Sequence, residues 1–161
     1  MKKIAIYPGS FDPFTSGHLN IIERSTKVFD EIVVAVARNV SKNTTFTAQE
    51  RVDMLTEIFK DRKEVRVDSF EGLLVDYTKT IGTNVVLRGM RTVSDFEYEL
   101  QIALANKSMN PDLETVFMVT DSKYSHIRSS IIKEIVALRG SVNHMVPGIV
   151  EEKLKEKLAK S

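Results

Sequence analysis

The sequence contains no cysteine and no tryptophan. Without cysteine there is no disulfide, no thiolate nucleophile and no cysteine-ligated zinc, and the composition fits a reducing compartment, so a cytoplasmic location is expected. Net charge is also missing: 23 Lys and Arg stand against 22 Asp and Glu, which leaves +1. No long-range field recommends DNA, RNA or an anionic membrane as the main partner, and any basic site has to be local. The longest apolar run, Ile32-Val33-Val34-Ala35-Val36-Ala37, has six residues, against the roughly 20 that a spanning helix needs. Met1-Lys2-Lys3 before Ile4-Ala5-Ile6-Tyr7 only faintly imitates a signal peptide, because Pro8, Gly9 and Asp12 end the apolar stretch early. Neither a membrane span nor export is expected.

What is present is an ordinary globular composition. Across 161 residues, 42% are hydrophobic and 28% charged, which is far from the disordered regime and suits one domain spanning residues 1–161. Short β-branched runs at Ile4–Tyr7, Ile32–Ala37, Val65–Val67, Val85–Arg88 and Val116–Val119 predict five strands. Between them lie helical patterns. Leu19, Ile22, Thr26 and Phe29 share one face of the first, and Thr47-Ala48-Gln49-Glu50 is a capping box opening a second with Val52, Leu55 and Phe59 as its stripe. Leu74, Tyr77 and Ile81 run to Gly82, and Ser94-Asp95-Phe96-Glu97 reads as another capping box before Leu100, Ala103 and Leu104. Ser129 or Ser130 opens a fifth helix, and Pro147 begins a terminal one carrying Val150, Leu154 and Leu158, with a solvated charged face from Glu151 to Lys160. Nearly continuous apolar strands alternating with helices indicate an α/β doubly wound parallel sheet covered on both faces.

In such sheets ligands bind beyond the carboxyl ends of the strands. The loop Pro8-Gly9-Ser10-Phe11-Asp12-Pro13-Phe14-Thr15-Ser16-Gly17-His18 is neither GxGxxG nor a P-loop, yet Gly17-His18 at a helix start offers free N–H groups, the positive dipole end and an imidazole. The dipole is expected to keep His18 neutral; simple capping of the helix is the alternative. After the fourth strand, Arg88 and Arg91 flank Gly89, and guanidinium forks suit phosphate oxygens, although Asp95, Glu97 or Glu99 can pair with either arginine, and one arginine can do both. Tyr124-Ser125-His126-Ile127-Arg128-Ser129-Ser130 adds hydroxyls at another helix start, for which N-capping is an equal explanation. Lys42 is a candidate mobile charge, and His126 and His144 have no metal-ligand spacing with His18. With no carboxylate pair and no obvious nucleophile, this set favours phosphoryl or nucleotidyl transfer, chemistry that rests on positioning and charge neutralisation.

Thr15-Ser16-Gly17-His18 and Ile127-Arg128-Ser129-Ser130 resemble the paired motifs of the nucleotidylyltransferase superfamily. Tyr7-Pro8-Gly9-Ser10-Phe11-Asp12-Pro13, with Leu87-Arg88-Gly89-Met90-Arg91 through Asp95-Phe96-Glu97-Tyr98-Glu99-Leu100, resembles the bacterial phosphopantetheine adenylyltransferases over essentially the whole chain. The resemblance implies a Rossmann-like nucleotidyltransferase fold and reversible transfer of AMP from ATP to 4′-phosphopantetheine, a step of coenzyme A synthesis, with Mg²⁺ accompanying the nucleotide. It further implies that His18, Lys42, Ser10 and Arg91 are catalytic. Ser10, Lys42, Leu74 and Arg88 would bind phosphopantetheine. Ser10, Phe11, His18, Gly89, Met90, Arg91, Glu99 and the stretch Tyr124 to Ser130 would contact ATP. A homo-oligomer, a hexamer in this family, and inhibition by coenzyme A are implied in the same way. Arg128 departs from the family's usual Ile-Ser-Ser-Ser: it either points away or adds a phosphate contact. The alternatives are another adenylyl- or cytidylyltransferase of the superfamily and a non-catalytic flavodoxin-like nucleotide-binding regulator.

Overall fold

A computed structural model describes residues 1–38 and 43–158. Its elements are β1 (Ile4–Gly9), α1 (Ser16–Ser25), β2 (Glu31–Ala37), α2 (Ala48–Phe59), β3 (Val65–Phe70), α3 (Leu74–Ile81), β4 (Val85–Met90), α4 (Val93–Met109), β5 (Glu114–Val119), a 3₁₀ turn (Ser122–Tyr124), α5 (Ser129–Ala137) and α6 (Gly148–Leu158). The five strands form one sheet in the order β3-β2-β1-β4-β5, every recorded pairing being parallel. Chain direction across the sheet reverses between β1 and β4, and a crevice opens at such a point.

The apolar strand runs are explained by alternation between two buried faces. Ala5, Tyr7, Ile32, Val34, Val36 and Leu87 point into the larger core, where they meet Ile21, Ile22, Leu55, Phe59, Ile132 and Leu154 from α1, α2, α5 and α6. Ile6, Val33 and Ala35 point the other way, against Tyr77 of α3, and Val86 joins Val75 and Leu113. Doubly apolar strands occur only in the middle of the sheet; β5, at one edge, leaves Val116 and Val119 exposed.

Several helices differ from what the sequence pattern predicts. The Thr47 capping box stands as read, Thr47 Oγ1 accepting from Glu50 N and Glu50 Oε2 from Thr47 N at 3.1 and 2.7 Å. The expected box at Ser94 does not form: Thr92 is the N-cap, in extended backbone, and its hydroxyl takes the Asp95 N–H at 3.2 Å. The expected stripe fails with it, since Leu100 and Leu104 are exposed and Asn106 is the one buried residue of α4. α1 stops at Ser25, so Thr26 and Phe29 lie beyond it and its buried face is Gly17, Ile21, Ile22 and Ser25. On α6, Glu151 is buried instead of solvated. Its carboxylate accepts from Ser141 Oγ and Val142 N, tying the preceding loop to the helix, and those bonds with Lys155 hold its pKa below the usual carboxylate range.

Candidate active site

The crevice between β1 and β4 holds a cavity of about 790 Å³. Its floor is the loop after β1. Phe11 adopts φ +49° and folds its ring back over Gly9, where a Cβ would stand 2.9 Å from Phe11 Cζ, so the turn requires glycine. Arg51, reaching from α2 and 3% exposed, donates to the carbonyls of Ser10, Ala37 and Thr47. Asp12, also buried, accepts from Thr45 N at 2.8 Å and Phe46 N at 2.9 Å, with Lys133 Nζ at 3.3 Å. One buried cation and one buried anion thereby join the β1 loop to the segment entering α2. Such groups persist only when paired or hydrogen-bonded.

His18 occupies the third position of α1 and completes a capping box. Thr15 Oγ1 accepts from His18 N, and His18 Nδ1 accepts from Thr15 N at 3.0 Å. A backbone N–H can only donate, so Nδ1 is unprotonated and Nε2 carries the proton. The ring is stacked on Phe14, with Phe11 and Tyr7 edge-on to it. Burial among these rings, and secondarily the charges of Arg91 and Arg88, push its pKa down to about 3. The neutral ring expected from sequence is therefore present, with burial as its chief cause in place of the helix dipole. Capping and an outward-facing N–H coexist, because each uses a different nitrogen.

Arg88 and Arg91 likewise do two things at once. Arg88 donates from Nε and Nη2 to the two Glu99 oxygens, both at 2.6 Å, and from Nη1 to the Pro8 carbonyl. Burial works against its charge, and the Glu99 carboxylate more than restores it, so the guanidinium titrates above its ordinary range. Arg91 takes Asp95 through its backbone N–H and Nε, and reaches the Ile127 carbonyl at 2.6 Å. Both arginines line the cavity. At the start of α5 neither serine caps: Arg128 is the N-cap residue without a side-chain bond, and Ser129 Oγ donates to the Pro13 carbonyl at 3.0 Å.

The sequence also has close relatives. A family model described as cytidylyltransferase-like matches residues 6–135. The chain is 51% identical over 159 residues to the phosphopantetheine adenylyltransferase of Geobacter metallireducens, which covers 99% of this chain and 98% of that protein. It is 54% identical over 157 residues to that of Syntrophus aciditrophicus, covering 98% of this chain and 95% of that one. The chain belongs to the phosphopantetheine adenylyltransferase family. Among solved structures, the Plasmodium falciparum nicotinic acid mononucleotide adenylyltransferase complexed with NaAD superposes with a TM-score of 0.68 at 18% identity, covering 99% of this chain and 96% of that one. At that identity the match speaks for the shared nucleotidyltransferase fold alone.

Of the residues that the phosphopantetheine adenylyltransferase resemblance singled out, Ser10, Phe11, His18, Arg88, Gly89, Arg91, Glu99 and Ile127 to Ser130 line the one cavity. Others do not. Leu74 packs on the opposite face of the sheet. Met90 ends β4 and its carbonyl accepts from Thr120. Tyr124 lies against the core, Ser125 bonds Ser122, and His126 is exposed. Lys42 falls outside the described residues. Arg128, the departure from the family pattern, sits on the cavity wall and is exposed. Sequence reasoning quoted Tyr7, Asp12 and Thr15 within its motifs without giving them a role, and missed Asn43, Thr44, Thr120 and Lys133 as lining residues. Lys133 was legible, lying one helical turn after Ser129; the partners of Asp12, more than 30 positions away, were not.

Proposed function

We propose that this cavity transfers AMP from ATP to 4′-phosphopantetheine, giving dephospho-coenzyme A and pyrophosphate in a reversible step of coenzyme A synthesis. The observation that carries the reading is the placement of a neutral His18, its Nε2–H directed away from the capping bond, in the same cavity as Arg88 and Arg91. In family terms Ser10, Arg88 and Lys42 bind and align the acceptor phosphate; Leu74, which the family places along the pantetheine arm, lies outside this cavity, so the arm would have to leave the cavity to reach it. An oxygen of that phosphate forms a bond to the α-phosphorus, the bond from the α-phosphorus to the bridging oxygen breaks, and pyrophosphate leaves with the electron pair. The attacking oxygen is already anionic, so no base is required. His18 donates from Nε2 to oxygens whose charge grows in the transition state, Arg91 neutralises the leaving phosphates, and Gly89, Ile127 to Ser130 and the α5 amides hold the nucleotide, while Met90 and Tyr124 to His126 stand outside the cavity. Glu99 has both oxygens on Arg88, so its part is to hold that guanidinium in line.

Mg²⁺ belongs to this reading as part of the substrate, bound to ATP phosphate oxygens and supplying charge neutralisation. The described residues include no cluster of three metal-ligating side chains, and the two cavity carboxylates, Asp12 and Glu99, already have partners. Assembly into a homo-oligomer, hexameric in the family, is supported by the apolar surface of α4 and β5, where Val93, Phe96, Leu104 and Val119 are exposed. Coenzyme A contains the product's skeleton and would compete for the same cavity. No helix among the described residues is long and apolar enough to cross a membrane; a cytoplasmic location belongs to the proposal through the family resemblance. The test is pyrophosphate release with Mg·ATP and 4′-phosphopantetheine, with nicotinamide mononucleotide as a second acceptor and CTP with glycerol 3-phosphate as a third arm. Release with phosphopantetheine alone is expected. Release with another acceptor would move the reaction elsewhere in the superfamily, and ATP binding without turnover would leave a regulator.

A further inference from the structure

β1 is apolar except for one hydroxyl. Tyr7 sits in the larger core, 5% exposed, its ring edge-on to Phe11 with centroids 5.5 Å apart and to His18 at 6.4 Å. Its phenol oxygen reaches the bare backbone of Gly89: a Cβ on that glycine would stand 3.2 Å from it. Arg88 and Arg91 lie on either side of Gly89 in the chain, and all three share the cavity wall with Tyr7. Among the described residues, this hydroxyl has no hydrogen-bond partner. Tyr7 is one of the residues that line the cavity, and the phenol oxygen is the polar atom it has to offer there.

A phenylalanine here would make every ring contact without a polar atom to satisfy, so the packing gives no reason for the hydroxyl. Burial holds the phenol above its ordinary pKa, and it is a neutral O–H donor at any working pH. A neutral donor beside two guanidinium groups complements an oxygen of an anion held by those groups. We propose that Tyr7 is a further substrate-contacting residue, its hydroxyl donating a hydrogen bond to a phosphate oxygen held between Arg88 and Arg91. The absent side chain at Gly89 is what lets the phenol and the phosphate meet. This inference rests on the adenylyl-transfer reading only for which phosphate is bound; binding of an anion does not depend on it.

The test compares wild type with Tyr7→Phe, using melting temperature without ligand, its rise with inorganic pyrophosphate, and steady-state rates with Mg·ATP and 4′-phosphopantetheine. The variant is expected to melt no lower than wild type without ligand. The pyrophosphate-induced rise is expected to shrink, and kcat/KM to fall about tenfold, as for loss of one hydrogen bond to a charged group. Unchanged rates and an unchanged pyrophosphate effect would overturn the proposal. So would a variant less stable without ligand whose activity falls only in step with its folded fraction, since that marks a structural hydroxyl. If wild type turns over no acceptor, adenylyl transfer fails while the pyrophosphate shift still decides the role of Tyr7.

Discussion

α2 and α4 each follow a strand of the same sheet, yet they bury very different parts of themselves. α2, with 12 residues, removes Arg51, Met54, Leu55 and Phe59 from solvent, and a reciprocal capping box fixes its start. α4 has 17 residues and buries only Asn106, while Phe96, Leu100 and Leu104 stay exposed. The difference runs through the candidate cavity. Ser10, Asp12 and His18 are held on the β1–β2 side by groups that one chain supplies in full. Arg88 and Arg91 stand on the β4 side, fixed by Glu99 and Asp95 of a helix that is itself lightly packed. A site split this way has one wall set by the core and another carried on a helix whose apolar side chains the described residues leave exposed.

The sharpest way to break that comparison is to remove the same side chain from both helices. Leu55→Ala, at a fully buried position, is expected to cost about 2–5 kcal/mol in urea unfolding. Leu104→Ala, 61% exposed, is expected to cost under about 0.5 kcal/mol in the dissociated chain, and Leu104→Glu to lower the molar mass seen by light scattering. Equal costs in the two helices would contradict the division. On the well-packed wall, His18→Ala is expected to lower kcat by roughly 10²–10³-fold with little change in KM, the loss typical of one preorganised donor to a transition-state oxyanion.

The same histidine makes a pH prediction. Folded, it takes up a proton only near pH 3, whereas the unfolded chain does so near 6.5. The unfolded state binds more protons in between, so stability falls as pH drops from about 6.5 toward 3 and is unaffected above that window. The His18 share is on the order of 1–2 kcal/mol at pH 5. Urea midpoints at pH 7 and pH 5 should draw closer together in His18→Gln than in wild type, and an identical gap in both would sink the assignment. Smallest of all, Arg128→Ser is expected to raise KM for ATP by a few fold, and an unchanged KM would mean that this exposed arginine makes no phosphate contact.

Much of this was legible in the sequence because it is local. The strands, the Thr47 box and the Gly82 stop, where φ is +77°, depend on neighbours within one turn. β1, β3 and β4 run two or three residues past their expected carboxyl ends, since Pro8-Gly9 and Gly89-Met90 look like loop and yet pair with Ala35-Val36 and Met118-Val119 as strand, whereas β2 and β5 end where expected. α4 was misread because its apolar residues satisfy a helical period that this chain's own core does not use. Within the site, His18 and the two arginines carry recognisable chemistry at strand ends. Arg51 and Asp12 do not, since their partners are backbone groups of distant segments that only the fold brings near. Tyr7 reads as one more apolar strand residue until the cavity beside Gly89 is known.

The central claim, attack by the acceptor phosphate on the α-phosphorus of ATP, is tested most directly by running the reaction with 4′-phosphopantetheine labelled with ¹⁸O in its phosphate and locating the label by mass spectrometry and ³¹P NMR. The account predicts labelled dephospho-coenzyme A, with label in the bridging position, and unlabelled pyrophosphate. ADP with a labelled diphosphate of pantetheine, or label in the released pyrophosphate, would place the attack at another phosphorus and contradict it.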